Sequence, residues 1–161
     1  MKKILITGGA GFIGHHLANE LINLNFQVNI IDNLSTGKKS NIPKKSLFFY
    51  GDINNIKLLN KASKNCNIIF HLAACTELQK SIYKPEETLQ DNLISTLNVI
   101  KICMKRKKKL IFASSCSIYD LKASDKLIED RDINPKNPYA MSKYFSEELI
   151  RFYSNNFKLN Y

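Results

Sequence analysis

Two hydrophobic patterns alternate along the chain. Short apolar runs typical of buried strands occupy residues 2–7, 27–32, 46–51, 67–73 and 109–115. Apolar residues at helical spacing fill the segments 12–25, 54–64, 87–104 and 138–155. Residues 156–161 have the pattern of a sixth strand. Strands that alternate with helices and are apolar on both faces predict an α/β fold: a Rossmann-like, doubly wound parallel sheet between two helical layers, in a single domain over residues 1–161.

Composition narrows the function classes. A net charge of +10 arises mainly from lysine, and the densest basic run, 105–109, follows a helix pattern whose C-terminus it complements, so no nucleic-acid partner is predicted. The four cysteines are widely spaced without a C-x-x-C motif, which argues against a zinc site or a disulfide framework. No apolar run approaches the ~18 residues of a membrane-spanning helix. The apolar run that follows the first lysines is too short for a secretory signal. We expect a cytoplasmic protein with no metal and no membrane partner.

A glycine-rich segment, TGGAGFIG (7–14), lies between the first strand and the first helix. Gly8, Gly11 and Gly14 are spaced so that the backbone can turn tightly, approach a pyrophosphate and pack the helix close to the sheet. The free N–H groups of the helix N-terminus favour an anion there. The segment therefore predicts a dinucleotide-binding site.

Asp32 ends the second strand, where an acidic residue accepts hydrogen bonds from the adenosine ribose. A carboxylate repels a 2′-phosphate, so NAD is favoured over NADP as the cofactor. Lys38 and Lys39 are near enough in sequence to reach such a phosphate, which leaves NADP open. A second interpretation makes Asp32 the first residue of the turn DNLSTG (32–37).

Further motifs follow in order: GDI (51–53), HLAA (71–74), ASSCSIY (113–119) and NPYAMSK (137–143). With the two segments above, they make the whole chain resemble the extended short-chain dehydrogenase/reductases, the NAD-dependent nucleotide-sugar epimerases and dehydratases. The likeness is strongest to the UDP-glucose 4-epimerase branch. It implies hydride abstraction from a sugar carbon and its return, with NAD as cofactor, a UDP-sugar as substrate and a homodimer as an assembly that the family allows.

The resemblance implies a catalytic set of Ser115, Tyr139 and Lys143. Tyr139 and Lys143 are four residues apart, so they lie on one face of a helix. A phenol is a poor base at neutral pH, and a neighbouring ammonium favours the phenolate. Tyr139 would then take a proton from a sugar hydroxyl while Ser115 bonds to the same oxygen.

The cofactor contacts that the resemblance implies come from several segments along the chain. They are Gly8, Gly11, Phe12, Ile13 and Gly14 at the phosphates, Asp32 and Asn33 at the ribose, Asp52 and Ile53 at the adenine, Leu72, Ala73 and Ala74 along the cofactor, Asn92 near it, and Tyr139 with Lys143.

Some positions depart from the family pattern. Ser95-Thr96 replaces a common Gly-Thr, which would crowd helix packing, and Tyr119-Asp120 replaces Tyr-Gly. Cys116 and Ser117 stand where 4,6-dehydratases carry an acid pair, which argues against dehydration. A nucleotide-sugar dehydratase or reductase of the same family stays an alternative function. His71 is expected to be a packed strand residue, not a base.

Family members are considerably longer and add a C-terminal substrate domain. We therefore keep as an alternative a C-terminally incomplete chain that binds NAD without turnover. A third interpretation is an NAD-sensing regulator. The irregular segment 116–137 is a candidate substrate loop.

Overall fold

A computed structural model describes residues 2–119, 128–129 and 131–161. Its parallel sheet has the order β3-β2-β1-β4-β5. The strands are β1 (Lys3–Thr7), β2 (Gln27–Asp32), β3 (Leu47–Tyr50), β4 (Ile68–His71) and β5 (Lys109–Phe112). The chain adds β2 and β3 on one side of β1 and then adds β4 and β5 on its other side. The order of the strands therefore reverses between β1 and β4. A crevice forms at such a point, beyond the carboxyl ends of the strands.

Helices cover both faces of the sheet, which confirms the predicted three-layer fold. They are α1 (Phe12–Asn23), α2 (Ile56–Ala62), α3 (Leu78–Tyr83), α4 (Pro85–Arg106) and α5 (Pro138–Phe157). One core contains Ala18 and Leu21 of α1 against Ile4, Ile6 and Ile30. The opposite core joins α2, α4 and α5 to the other faces of the same strands and is built around Leu5, Ile31, Ile69, Ile100 and Ile150.

The prediction of a sixth strand over residues 156–161 is wrong. Helix α5 continues to Phe157, and Lys158 then adopts a left-handed conformation with φ of 60° that ends the helix. Leu159 is buried, and the Leu110 N–H donates to the Asn160 carbonyl over 2.8 Å. The segment therefore lies beside β5 but forms no strand.

Helix α3 was not predicted, because six residues are too few to show a helical period. Helix α4 begins at Pro85, two residues before its apolar pattern. Proline suits a first helical position, and Glu86 and Glu87 complement the positive end of the helix.

Candidate cofactor and active site

A cleft of about 470 Å³ lies at the carboxyl ends of the strands, where the strand order reverses. Every residue that the sequence predicts to contact the cofactor lines it. Of the predicted catalytic residues, Tyr139 and Lys143 line it as well. Residues from six separate parts of the chain thus meet at one cavity, beyond the strand ends of an open parallel sheet.

The glycine turn forms one end of the cleft. Gly8 has a φ of 71°, and a Cβ there would lie 2.8 Å from the Ala73 amide nitrogen. A Cβ on Gly14 would overlap the Gly8 carbonyl oxygen and lie 2.7 Å from the Gly9 Cα. Helix α1 begins directly after Gly11 with neither a side-chain cap nor an acidic residue in its first turn. Its N–H groups and the positive end of its dipole are therefore available to an anion in the cleft.

Asp32 is a turn residue, one of the two interpretations that the sequence left open, and its contact with a ribose stays a prediction. Its buried carboxylate accepts a hydrogen bond from the Leu34 N–H over 2.8 Å, as expected for a turn residue. The other oxygen accepts from the Ala10 N–H over 2.9 Å and so holds the glycine turn. Each carboxylate oxygen can accept more than one hydrogen bond, so Asp32 retains capacity for a ligand hydroxyl.

Asn33 and Asp52 form the end of the cleft beyond β2 and β3. The Asn33 Nδ2 donates to Asp52 Oδ2 over 3.3 Å. The other Asp52 oxygen accepts from the Asn54 N–H over 2.7 Å. Ile53 is buried between them and offers an apolar surface. An apolar side chain with polar groups beside it suits a nucleoside base.

Tyr139 and Lys143 reach the cleft from the first turns of α5. The helix starts at Pro138, and Asn137 caps it by accepting from the Ala140 N–H over 2.8 Å. Lys143 is only 4% exposed. Its Nζ donates to the Ala113 carbonyl over 2.8 Å and lies 4.7 Å from the Phe112 ring centroid.

The ammonium of Lys143 is held at an energetic cost. Burial lowers the pKa of Lys143 to about 8, against the opposing attraction of Glu147. A lysine in this environment is close to losing its proton in the physiological range, which is typical of functional sites.

Ser115 lies outside this cleft. It borders a neighbouring cavity of about 370 Å³, and its Oγ is 2.8 Å from the Ser117 Oγ. Ser114, the residue before it, lines both cavities. Tyr139 and Lys143 thus line the same cleft, whereas Ser115 borders the cavity beside it. The catalytic role of Ser115 stays a prediction.

His71 lies fully buried in β4, as predicted for a packed strand residue. Its Nδ1 is 2.9 Å from Thr7 Oγ1 and its Nε2 is 3.2 Å from Thr96 Oγ1. Burial, with a smaller contribution from Lys143, lowers the pKa of His71 to about 3. The imidazole is therefore neutral at physiological pH and does not supply a second cation to the cleft.

A family model, that of the NAD dependent epimerase/dehydratase family, matches residues 4–161. The chain belongs to this family. It is 37% identical to a putative UDP-glucose 4-epimerase of Methanocaldococcus jannaschii over 161 residues, 98% of this chain and 53% of that protein. A pea bifunctional UDP-glucose and UDP-xylose 4-epimerase is 32% identical over 93% of this chain and 47% of its own length.

Solved structures of epimerases share the fold. The UDP-glucose 4-epimerase of Thermus thermophilus, in complex with NAD, superposes with a TM-score of 0.91 at 31% identity, covering 98% of this chain and 52% of that one. The Thermotoga maritima enzyme with UDP-glucose gives 0.90 at 30% identity, with the same coverage. The chain spans about half the length of the curated relatives it matches.

One departure from the epimerase/dehydratase pattern has a structural outcome within the described residues. Ser95 is buried, yet its hydroxyl donates to the Asn92 carbonyl over 3.0 Å, so the added side chain folds back on its own helix and the expected crowding is avoided. Asp120 lies outside the described residues, as do 121–127 and 130. Of the candidate substrate loop, the described part pairs Tyr119 with Ile133.

Asn92 acts mainly within the protein. Its Oδ1 accepts from the Cys75 N–H over 2.7 Å, and its Nδ2 donates to the Ser142 Oγ over 2.8 Å. Cys75 itself lines the cleft and was missed in the sequence. Its position directly after Ala74 was the one available signal, because the strand-end backbone continues along the cavity.

Two features are absent from the described residues, 2–119, 128–129 and 131–161. Within these ranges, no three or more His, Cys, Asp or Glu side chains cluster as metal ligands would. No helix in the same ranges combines the length and apolar composition needed to cross a bilayer.

Proposed function

We propose that residues 1–161 form the NAD-binding domain of a nucleotide-sugar 4-epimerase acting on a UDP-sugar. The observation that carries this proposal is the single cleft shared by the glycine turn, Asp32 and the Tyr139–Lys143 pair. The first two suit a dinucleotide, and the pair suits proton transfer at a sugar hydroxyl.

The residues present fit NAD. The turn at Gly8 and Gly14 leaves a cradle that side chains would fill, and the uncapped start of α1 offers N–H donors to a pyrophosphate. The Asp32 carboxylate fits a ribose diol and repels a 2′-phosphate. A bound NAD would supply the group that takes a hydride from the sugar carbon and gives it back.

The chain's own residues would handle the proton and the orientation. Tyr139 takes the proton of the hydroxyl on the reacting carbon and later gives it back. The Lys143 ammonium, one turn along α5, stabilises the phenolate and is itself anchored by the Ala113 carbonyl. Ser115 is the proposed hydrogen-bond partner of the sugar oxygen. Because Ser115 borders the neighbouring cavity, this role requires the sugar to reach from the cleft toward that cavity.

Cofactor choice tests the binding half of the proposal. We expect NAD to bind more tightly than NADP, and Asp32→Asn to narrow the difference because it removes the charge but keeps one acceptor. Calorimetric titration with both nucleotides measures this. Glu20→Gln removes an equal charge from the exposed side of α1 and serves as control. Equal or tighter NADP binding by the wild-type chain would contradict the assignment of Asp32.

Turnover tests the catalytic half. The assay is interconversion of UDP-glucose and UDP-galactose, and of their N-acetyl forms, with NAD present. A second candidate function, NAD binding without turnover, is favoured by the position of Ser115, which borders the neighbouring cavity and not the cleft. Positioning of reactants supplies about 7–11 kcal/mol of barrier reduction, so residues 1–161 assayed alone are expected to turn over far below the ordinary range of about 1–10³ s⁻¹. Turnover within that range would exclude the second candidate.

The proposal extends to a cytoplasmic homodimer. Support for the assembly comes from apolar side chains that α4 and α5 leave uncovered, with Ile94 43%, Phe145 44% and Phe152 54% exposed. Support for the compartment comes from four free cysteines, of which Cys116 is exposed.

A further inference from the structure

A chain of hydrogen bonds connects His71 to the backbone that walls the cleft. His71 ends β4 and pairs in register with Thr7, the last residue of β1. Its Nδ1 lies 2.9 Å from Thr7 Oγ1. The same Thr7 oxygen accepts from the Leu72 N–H over 3.2 Å and from the Ala73 N–H over 3.1 Å. Thr7 is 0% and His71 1% exposed, so water does not compete for these groups.

The directions of these bonds follow from the number of protons and lone pairs. A hydroxyl oxygen has two acceptor sites and one proton. The amides of Leu72 and Ala73 occupy both acceptor sites of Thr7, so its proton is left for His71 Nδ1. The neutral ring then carries its own proton on Nε2 and donates it to Thr96 Oγ1 over 3.2 Å. Thr96 in turn donates to the Asn92 carbonyl over 2.8 Å.

The Ala73 amide connects this series of hydrogen bonds to the candidate cofactor site. Its nitrogen would be 2.8 Å from a Cβ on Gly8, so the backbone at Ala73 packs directly on the glycine turn. Leu72 has a second acceptor in the Thr7 carbonyl, at 3.2 Å. Ala73 relies on the hydroxyl. A Thr7 side chain rotated away would leave this amide unpaired and allow the cleft wall to move.

We infer that His71 is a positioning residue for the cofactor site. By accepting the Thr7 proton at Nδ1, it directs the Thr7 lone pairs to the Leu72 and Ala73 amides and so fixes the wall of the cleft against the glycine turn. The inference rests on the proposed function to the extent that the cleft binds NAD. It assigns His71 no contact with the cofactor and no proton transfer in the reaction, because both ring nitrogens are engaged inside the protein.

A matched pair of variants tests the role of Nδ1. His71→Asn and His71→Leu have the same branched shape, and both lose the contact with Thr96. The amide oxygen of asparagine can take the place of Nδ1, whereas leucine offers no acceptor. We expect His71→Asn to bind NAD within about threefold of wild type, and His71→Leu to bind about tenfold or more weakly. A merely structural role predicts the reverse order, because leucine is the better tolerated residue in a core.

Amide hydrogen exchange gives a readout that needs no cofactor. In the unliganded chain, exchange at Ala73 should accelerate about tenfold or more in His71→Leu and remain close to wild type in His71→Asn. Exchange at Ile69, which lies in β4 with His71, serves as the internal control and should be equal in the two variants. Equal exchange at Ala73 in both variants would overturn the inference.

Thr7 supplies an independent pair. Thr7→Val removes the hydroxyl without changing the shape, and Thr7→Ser keeps it. Thr7→Val should reproduce the loss seen in His71→Leu, and combining the two should add little, because the hydroxyl that His71 orients is already absent. Additive losses would refute the coupling, and this pair decides the matter if His71→Leu does not fold. A wild-type chain that fails to bind NAD would refute the proposed function, while the exchange order at Ala73 still decides whether His71 positions the wall.

Discussion

Buried Lys143 is expected to make the stability of the protein depend on pH above neutrality. Burial lowers its pKa from 10.5 to about 8 in the folded chain. The folded state therefore releases the proton at a lower pH than the unfolded state. Between pH 8 and 10.5 the unfolded chain binds more protons, so the free energy of unfolding rises with pH in this window. At about 1.36 kcal/mol per pKa unit, the full rise is roughly 3 kcal/mol.

Urea denaturation of the wild type and of Lys143→Met at a series of pH values from about 7 to 10.5 measures the effect. Methionine retains the apolar stem and lacks the charge. Other lysines and the tyrosines titrate in both proteins, so the difference between the two free energies of unfolding isolates Lys143. That difference should shift by roughly 3 kcal/mol in favour of the wild type as pH rises.

Lys101→Met, which removes an exposed lysine from a helix, controls for the change in net charge. A difference between wild type and Lys143→Met that stays constant across the window would refute the reasoning. It would show that the Ala113 carbonyl and the Phe112 ring offset the loss of hydration of the ammonium.

Two further predictions concern the cleft. Gly14→Ala places a methyl group against the Gly8 carbonyl and 2.7 Å from the Gly9 Cα, so the turn must shift and NAD affinity should fall about tenfold or more, measured by calorimetry with the exposed His16→Ala as control. Tyr139→Phe should lower kcat by about 10²–10⁴-fold with little change in NAD affinity, measured in a form of the protein that has measurable turnover. A loss below about tenfold would count against Tyr139 as the base.

The sequence predicts best what depends on neighbouring residues. The first strand, the glycine turn and the first helix follow from local periodicity, and Asp32 follows from the end of the second strand. The position of Ser115 does not, because the direction of a side chain after a strand depends on how the following turn packs. The partners of His71 are 64 and 25 residues away, so only the register of β1 with β4 and the packing of α4 on the sheet show that both ring nitrogens are bonded.

The contact between α4 and α5 explains why both Tyr139 and Lys143, four residues apart, face the cleft. Two buried polar side chains one turn apart on α4, Asn92 and Thr96, face two on α5, Ser142 and Ser146. The distances are 2.8 Å from Asn92 Nδ2 to Ser142 Oγ and 3.3 Å from Thr96 Oγ1 to Ser146 Oγ.

These short side chains fix the rotation of α5 about its own axis. A helix advances about 100° per residue, so the stripe through Tyr139 and Lys143 lies about 60° from the stripe through Ser142 and Ser146. With one stripe bonded to α4, the other must point to the strand ends, where the Lys143 Nζ meets the Ala113 carbonyl. A helix rotated by a single residue would carry the pair away from the cleft. The buried hydroxyls of α5 therefore orient Tyr139, the proposed base, and Lys143, which is proposed to stabilise its phenolate.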